Sequence, residues 1–138
     1  MTDQNTQMSR KLSVVVGEAN EHVREAIAAM IDEHPELDLV GTASTGDELA
    51  TLCKDHRPNV AVFDLMACSQ ADRVDHALRA ASPTTVLAVF TARANRQSHA
   101  RLLEDGIDAV FDKGSVQHLA DALHSLAIAI RGEPLLGT

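Results

Sequence analysis

Short apolar runs alternate along the chain with longer segments in which apolar residues recur at helical spacing. The apolar runs are rich in β-branched residues and have few internal polar positions, which is typical of strands buried on both faces. We predict strands at residues 12–16, 37–42, 60–63, 85–90 and 109–111. We predict helices at about 21–33, 44–56, 71–81 and 95–104, and a fifth helix that begins after Ser115 and ends at Gly132. Five strand–helix units with short connections predict an α/β domain, a doubly wound five-stranded parallel sheet with helices on both faces.

The domain organisation and the charge follow from the same pattern. The 138 residues predict a polar arm at 1–10, one domain at 11–132 and a linker-like tail at 133–138. Hydrophobic residues make up 45% and charged residues 23% of the chain, which is ordinary for a globular domain. The formal net charge of −8 argues against nucleic acid or an anionic membrane as a direct partner.

The remaining composition indicates a cytoplasmic protein. Residues 1–11 lack the apolar core of a secretory signal, and no apolar run approaches the roughly 20 residues that span a bilayer. Cys53 and Cys68 show no metal-ligand spacing, so we expect reduced thiols. The seven His residues form no pair at i, i+4, and we predict that they lie on the surface.

Polar residues with complementary chemistry follow three of the predicted strands. Asp64 follows the third strand, Thr91 follows the fourth, and Lys113 lies two residues beyond the fifth. The carboxyl ends of parallel strands meet at one edge of a sheet, where ligands of such folds bind, so we expect these side chains to lie together. A phosphoryl group accepted on Asp64 would receive a hydrogen bond from Thr91 and charge balance from Lys113. Glu18, after the first strand, falls at the same edge.

Three segments resemble those that carry function in the receiver domains of bacterial two-component response regulators. They are residues 60–65, similar to the segment with the phosphoacceptor Asp; 86–92, similar to the strand that ends in the switch Thr; and 106–113, similar to the segment with the essential Lys. Over residues 12–132 the resemblance implies a flavodoxin-like receiver fold, with Asp64 as phosphoacceptor and Thr91 and Lys113 as phosphate-binding residues. The end of the chain resembles receivers that precede a LuxR-type helix-turn-helix.

The sequence departs from the family pattern where receivers bind a metal ion. The family places two adjacent acids after the first strand, and alignment on the following helix puts Glu18 and Ala19 at those positions. A one-residue shift would pair Gly17 with Glu18, and either alignment leaves a single acid. The resemblance implies Mg²⁺ ligands from Glu18, Asp64 and the backbone carbonyl of Met66, with the direct acid ligand missing at Ala19. Because Mg²⁺ relies on one or two protein carboxylates, we expect weak or absent Mg²⁺ binding.

These departures set the functional expectation. The metal stabilises the charge in phosphoryl transfer by several kcal/mol, and a loss of about 3–5 kcal/mol slows the reaction about 10²–10⁴-fold. We expect an atypical stand-alone receiver, not an enzyme, that acts as a signalling interaction module with impaired phosphorylation on Asp64. Expected partners are a histidine kinase or another signalling protein. A second copy of the chain would bind through the face of the fourth predicted helix, the fifth strand and the fifth helix.

Three alternatives stay open. Within the family they are a phosphorylation-competent receiver served by a histidine kinase, and a receiver fragment of a transcription factor. A flavodoxin-like enzyme or nucleotide binder can share the sheet topology. Flavin and dinucleotide sites need a Gly- or hydroxyl-rich loop after the first strand, whereas residues 17–22 are acidic and no GxGxxG or P-loop motif occurs.

Overall fold

Parallel strands form the centre of the molecule. The computed structural model describes residues 11–64, 74–91, 100, 103–104, 106–112 and 119–131. Among these residues the strands are β1 (Leu12–Gly17), β2 (Leu37–Ala43), β3 (Val60–Phe63), β4 (Val86–Thr91) and β5 (Ala109–Asp112). They form one sheet in the order β2-β1-β3-β4-β5, and each neighbouring pair is parallel. The strand order therefore reverses between β1 and β3, which is where ligands of doubly wound sheets bind.

In the described part of the chain, helices follow β1, β2, β3 and β5. They are α1 (Glu21–Glu33), α2 (Gly46–His56), α3 (Val74–Ala81) and α4 (Leu119–Arg131). α4 corresponds to the fifth helix that was predicted from the sequence. Of the fourth predicted helix only residues 100, 103 and 104 are described, and all three are helical. The predicted arm at 1–10 and tail at 133–138 lie outside the described residues. Within the described part of the chain, no helix is both long and apolar enough to cross a membrane.

Buried side chains form two clusters, one on each face of the sheet. Because successive residues of a strand point to opposite faces, Val14 and Val16 lie in one cluster and Val15 lies in the other. Burial of each such side chain contributes about 1.5–3 kcal/mol. The first cluster also contains residues of α1 and α4, namely Ile27, Ile31, Leu119 and Leu123. The second contains residues of α2 and α3, namely Leu49, Cys53 and Leu78.

The edge strand β2 packs closely against α2 at Gly41. Its register with β1 shifts between Val14 and Val15, so that Val15 pairs with Gly41. A Cβ atom on Gly41 would lie 2.8 Å from Cδ2 of Leu52 in α2, so the missing side chain permits the close approach. At the carboxyl end of β2, the carbonyl oxygen of Ala43 accepts a hydrogen bond from the N–H of Glu18 at 2.9 Å. The pairing of β1 and β2 thus continues into the loop that follows β1.

The surface prediction for the histidines is wrong for His34. This residue caps the carboxyl end of α1, and its side chain is only 14% exposed. Its Nε2 lies 2.9 Å from Oδ1 of Asp121 in α4, and its ring lies 5.3 Å from the ring of His124. His34 therefore packs between two helices that are far apart in the sequence, which helical spacing within one segment does not reveal.

Candidate functional site

Two carboxylates lie at the point where the strand order reverses. Gly17 and Phe63 are partners in the last described pair of β1 and β3, and Glu18 and Asp64 are the next residue of each strand. Neighbouring strands are about 4.8 Å apart, so the two backbones remain adjacent here. Glu18 is 2% exposed and Asp64 is 6% exposed. Buried carboxylates are uncommon in proteins unless they are paired or used, so this edge of the sheet is the candidate site.

Hydrogen bonds within the loop after β1 hold Glu18 in place. Its Oε2 accepts from the backbone N–H of Asn20 at 2.8 Å. The Oδ1 of Asn20 in turn accepts from the N–H of Val23 at 3.0 Å, so Asn20 is the N-cap of α1. The start of α1 and the Glu18 carboxylate are therefore parts of one local network, in which each side chain satisfies a backbone donor.

Arg24 reaches back from α1 onto the same loop. Its Nη1 donates to the carbonyl oxygen of Glu18 at 2.9 Å and lies 3.4 Å from that of Ala19. These contacts place a fixed positive charge beside the loop, on the backbone of Glu18 and Ala19, the pair that the first of the two alignments compares with the acids of receivers. Ala19 itself is exposed and contributes no carboxylate. Directly after the paired ends of β1 and β3, the described carboxylates are therefore Glu18 and Asp64, and one oxygen of Glu18 already accepts a backbone hydrogen bond.

The loop after β2 carries a second helix cap. Oγ1 of Thr45, the N-cap of α2, accepts from the N–H of Glu48 at 3.1 Å. The Oε1 of Glu48 accepts from the N–H of Ser44 at 2.9 Å and from its hydroxyl at 2.8 Å. These bonds, led by the backbone N–H of Ser44, hold the pKa of Glu48 below its ordinary value, and the charge of Arg24 acts in the same direction. The cap orders the chain on the β2 side of the site.

The other predicted site residues lie partly outside the described residues. Thr91 is the last residue of β4 and pairs in register with Asp112, the last residue of β5. The backbone thus brings the strand end at Thr91 to the strand end that leads into Lys113. Lys113 and Met66 themselves lie outside the described residues, so their predicted roles stay predictions. Among the residues that the structure describes, no group of three or more His, Cys, Asp or Glu side chains is placed to hold a metal ion.

Sequence reasoning missed two members of the site. Asn20 directly precedes a helix of predicted extent, which is a recognisable N-cap signal. Arg24 lies near the start of α1, and nothing in its spacing shows that its guanidinium turns back onto the loop. Such a contact depends on the entry angle of α1, which the tertiary packing sets.

Comparison with solved structures identifies the fold. The signal receiver domain of a response regulator named NarL from Mycobacterium tuberculosis superposes with a TM-score of 0.78 at 25% identity, over 86% of this chain and 97% of that domain. The response regulator domain of Thermotoga maritima CheB gives 0.74 at 18% identity, over 91% and 100% of the two chains. A LuxR-family DNA-binding response regulator from Staphylococcus aureus gives 0.74 at 17%, over 84% and 98%. The chain has the fold of a response regulator receiver domain.

Sequence comparison gives a weaker result. No family model matches the chain. A 54-residue segment is 33% identical to a protein-glutamate methylesterase/protein-glutamine glutaminase of Nitratidesulfovibrio vulgaris. That segment is 39% of this chain and 15% of the relative, so the chain spans only a small part of that protein.

Proposed function

We propose that this chain is an atypical response regulator receiver, a signalling interaction module in which phosphorylation on Asp64 is impaired because a metal-binding acid is missing. The observation that carries this function is the arrangement at the end of β1 and β3. Glu18 and Asp64 are both buried and directly follow the paired ends of β1 and β3, while Ala19, the residue after Glu18, is exposed and has no carboxylate. The receiver fold is typical of signalling modules rather than of enzymes.

The donor set supports a weak magnesium site. Mg²⁺ demands near-octahedral oxygen ligands and binds through carboxylates that can turn toward it. In this chain Glu18 uses Oε2 to accept from Asn20, and Arg24 holds a positive charge against the same loop. Both features disfavour a divalent cation relative to a site with two adjacent acids. When bound, the metal would neutralise charge on a transferring phosphoryl group; Glu18, Asp64 and the carbonyl of Met66 would hold it.

Binding of a partner independent of phosphate is then the expected mode of signalling. In ordinary receivers the phosphoryl group shifts an equilibrium between two conformations, and a partner reads the result. A receiver that is phosphorylated about 10²–10⁴-fold more slowly presents one conformation to its partner most of the time. We propose a histidine kinase or another signalling protein as partner, and a second copy of the chain through the face that includes β5 and α4. The net charge of −8 disfavours nucleic acid.

The rival function within the family is a working phosphoacceptor. It is favoured by the position of Asp64 at the strand-order reversal and by the register that sets Thr91 opposite Asp112, directly before Lys113. These are the elements of a phosphoacceptor pocket other than the metal. The two functions differ in rate and metal affinity, not in geometry.

One experiment separates them. The chain is incubated with acetyl phosphate and Mg²⁺, and its intact mass is followed over time beside Asp64→Asn as the unreactive control. We expect little or no added phosphoryl mass, and a Mg²⁺ affinity by isothermal titration that is weaker than micromolar. Rapid labelling that Asp64→Asn abolishes, together with micromolar Mg²⁺ affinity, would establish the rival function.

A further inference from the structure

Arg79, at the end of α3, joins three segments at the amino edge of the sheet. Its Nη1 donates to the carbonyl oxygens of Thr85 at 2.9 Å and Pro83 at 3.2 Å. Its Nη2 donates to the carbonyl oxygen of Gly106 and to Oδ2 of Asp108, both at 3.1 Å. One guanidinium therefore ties the end of α3 to the segment before β4 and to the segment before β5. The planar guanidinium of Arg suits these four acceptors, because each of its two terminal nitrogens donates to two of them. The single ammonium nitrogen of a lysine has three donors and cannot reach all four.

Asp108 continues the contact into the sheet. Its N–H donates to the carbonyl oxygen of Leu87 at 2.9 Å, and its Oδ2 accepts from the N–H of Leu87 at 2.8 Å. These two hydrogen bonds between Leu87 and Asp108 lie directly before the first paired residues of β4 and β5, Ala88 and Ala109. The side chain of Asp108 thus acts as an additional rung between β4 and β5.

An additional rung matters because β5 is a weakly held strand. It has four residues and lies at the edge of the sheet, and within the described part of the chain it pairs with β4. Alternation of inward and outward side chains excludes a slip of one residue, because every side chain would change face. A slip of two residues preserves the alternation and moves the strand by about 7 Å, at roughly 3.3 Å per residue. The apolar pattern of 109–111 does not exclude this slip, whereas the contacts of Arg79 and Asp108 do.

We infer that Arg79 is a positioning residue for the Asp64 site: with Asp108 it sets the register of β5, so that Asp112 ends opposite Thr91 and leads into Lys113. This inference rests on the proposed function, since it concerns the same site. The ion pair itself contributes little, because both side chains are about one-third exposed, at 38% and 32%. The geometry of four acceptors around one guanidinium carries the effect. A substitution of Arg79 at the amino edge of the sheet would therefore change the position of Asp112 at the carboxyl edge, because β5 connects the two edges.

The test compares four variants in an Ala19→Asp background, which restores the missing acid and gives a measurable labelling rate. Arg79→Lys keeps the charge and loses the fork. Asp108→Ala removes the rung, and Asp108→Asn keeps a carbonyl oxygen for the N–H of Leu87. Arg57→Lys, at an exposed arginine that ends α2, is the matched control. Three readouts are taken: urea unfolding, backbone NMR contacts between Thr91 and Asp112, and labelling of Asp64 by acetyl phosphate.

We expect Arg79→Lys and Asp108→Ala to weaken the contacts between Thr91 and Asp112 and to slow labelling about tenfold or more, since a misplacement of about 1 Å can cost about 10²-fold. Asp108→Asn should retain most of the contacts between Thr91 and Asp112 and most of the labelling rate. Arg57→Lys should leave the contacts and the rate unchanged. A purely structural role would lower the urea midpoint and leave the register and the labelling rate of the folded protein unchanged; that result would overturn the inference. If Arg79→Lys does not fold, the inference is tested by comparing the NMR contacts and labelling rates of Asp108→Ala and Asp108→Asn. If the Ala19→Asp parent is not labelled at all, the proposed phosphoacceptor site fails, and the NMR contacts alone decide the role of Arg79.

Discussion

The backbone N–H of Asp64 donates a hydrogen bond to the carbonyl oxygen of Gly17 at 3.0 Å. The bond continues the pairing of β1 and β3 by one residue beyond Gly17 and Phe63. The sheet rather than a free loop therefore places the Asp64 backbone beside Glu18. We therefore expect substitutions of site side chains to leave this backbone bond intact, so that they test chemistry at a position that the sheet defines.

Restoring an acid at position 19 should restore metal-dependent chemistry. Ala19 is exposed, so an aspartate fits without disturbing the core. We expect Ala19→Asp to strengthen Mg²⁺ binding in isothermal titration and to speed labelling by acetyl phosphate by up to about 10²–10⁴-fold. Ala19→Asn, of similar size and neutral, is the control and should show little gain. Equal behaviour of both variants would contradict the alignment that puts the missing ligand at position 19.

The N-cap of α1 should contribute measurably to stability. Oδ1 of Asn20 accepts from the N–H of Val23, and Asn20→Ala removes this acceptor. We expect a loss of about 1 kcal/mol in the free energy of unfolding, measured with urea. Asn20→Ser retains a side-chain oxygen at the cap and should lose only a fraction of that amount. If the Ala and Ser variants are equally stable, the cap does not contribute.

The cap of α2 should make stability depend on pH in the acid range. Hydrogen bonds from Ser44, its backbone N–H first, lower the pKa of Glu48 below the ordinary 4.5. A carboxylate whose pKa is lowered on folding stabilises the protein above its ordinary pKa, and this contribution disappears as pH falls through the lowered value. We expect the melting temperature of the wild type to fall toward that of Glu48→Gln as the pH drops below 4.5. A difference between the two proteins that is constant across this range would contradict the assignment.

Cys53 should be unreactive in the folded protein. It is fully buried, and burial raises the pKa of its thiol to about 11. Because the thiolate is the reactive form, a thiol reagent at about pH 8 should modify Cys53 only when the protein opens. In a Cys68→Ser background we expect slow modification that accelerates with urea. Since the pKa is raised on folding, stability should also fall as the pH rises above the ordinary value toward 11. Rapid modification of Cys53 without urea would show that α2 opens readily.

Much of the fold was predictable because the boundaries have local physical causes. The predicted bounds of β3 and α1 are confirmed, as is the five-stranded parallel sheet. The start of β4 differs by one residue for a tertiary reason. The hydroxyl of Thr85 donates to the carbonyl oxygen of Pro58, and its N–H donates to that of Ser82, so Thr85 belongs to a turn and the strand begins at Val86. An apolar pattern does not show which end residue of a run is used in a turn.

The site was less predictable than the fold. Strand order and chain direction bring Glu18 and Asp64 together. The parallel direction follows from counting strand–helix units, whereas the flavodoxin-like order was implied by the family resemblance alone. The hydrogen bonds of Arg24 to the loop and of Arg79 to the distant segment before β5 depend on how the helices pack. Long side chains reach partners that no sequence spacing identifies. Predicting residue positions was therefore easier than predicting the side-chain network that holds them.

Glu18 offers a way to separate the loop role of its side chain from its charge. In Glu18→Gln the carboxamide oxygen still accepts from the N–H of Asn20, while the negative charge beside Asp64 is removed. We expect the free energy of unfolding of this variant to lie within about 1 kcal/mol of the wild-type value, since a neutral hydrogen-bond acceptor replaces a charged one. Its remaining Mg²⁺ affinity should fall further, because Asp64 is then the one carboxylate left directly after the paired ends of β1 and β3.

Glu18→Ala is the matched comparison, since it removes both the charge and the acceptor. The side chain is 2% exposed, so its removal also leaves buried space, and we expect a loss of about 2 kcal/mol or more. The pair is measured by urea unfolding and by isothermal titration with Mg²⁺. If Gln and Ala destabilise the protein equally, the hydrogen bond to Asn20 does not hold the loop. If Glu18→Gln binds Mg²⁺ as the wild type does, Glu18 is not a ligand, and any metal at this edge is held without it.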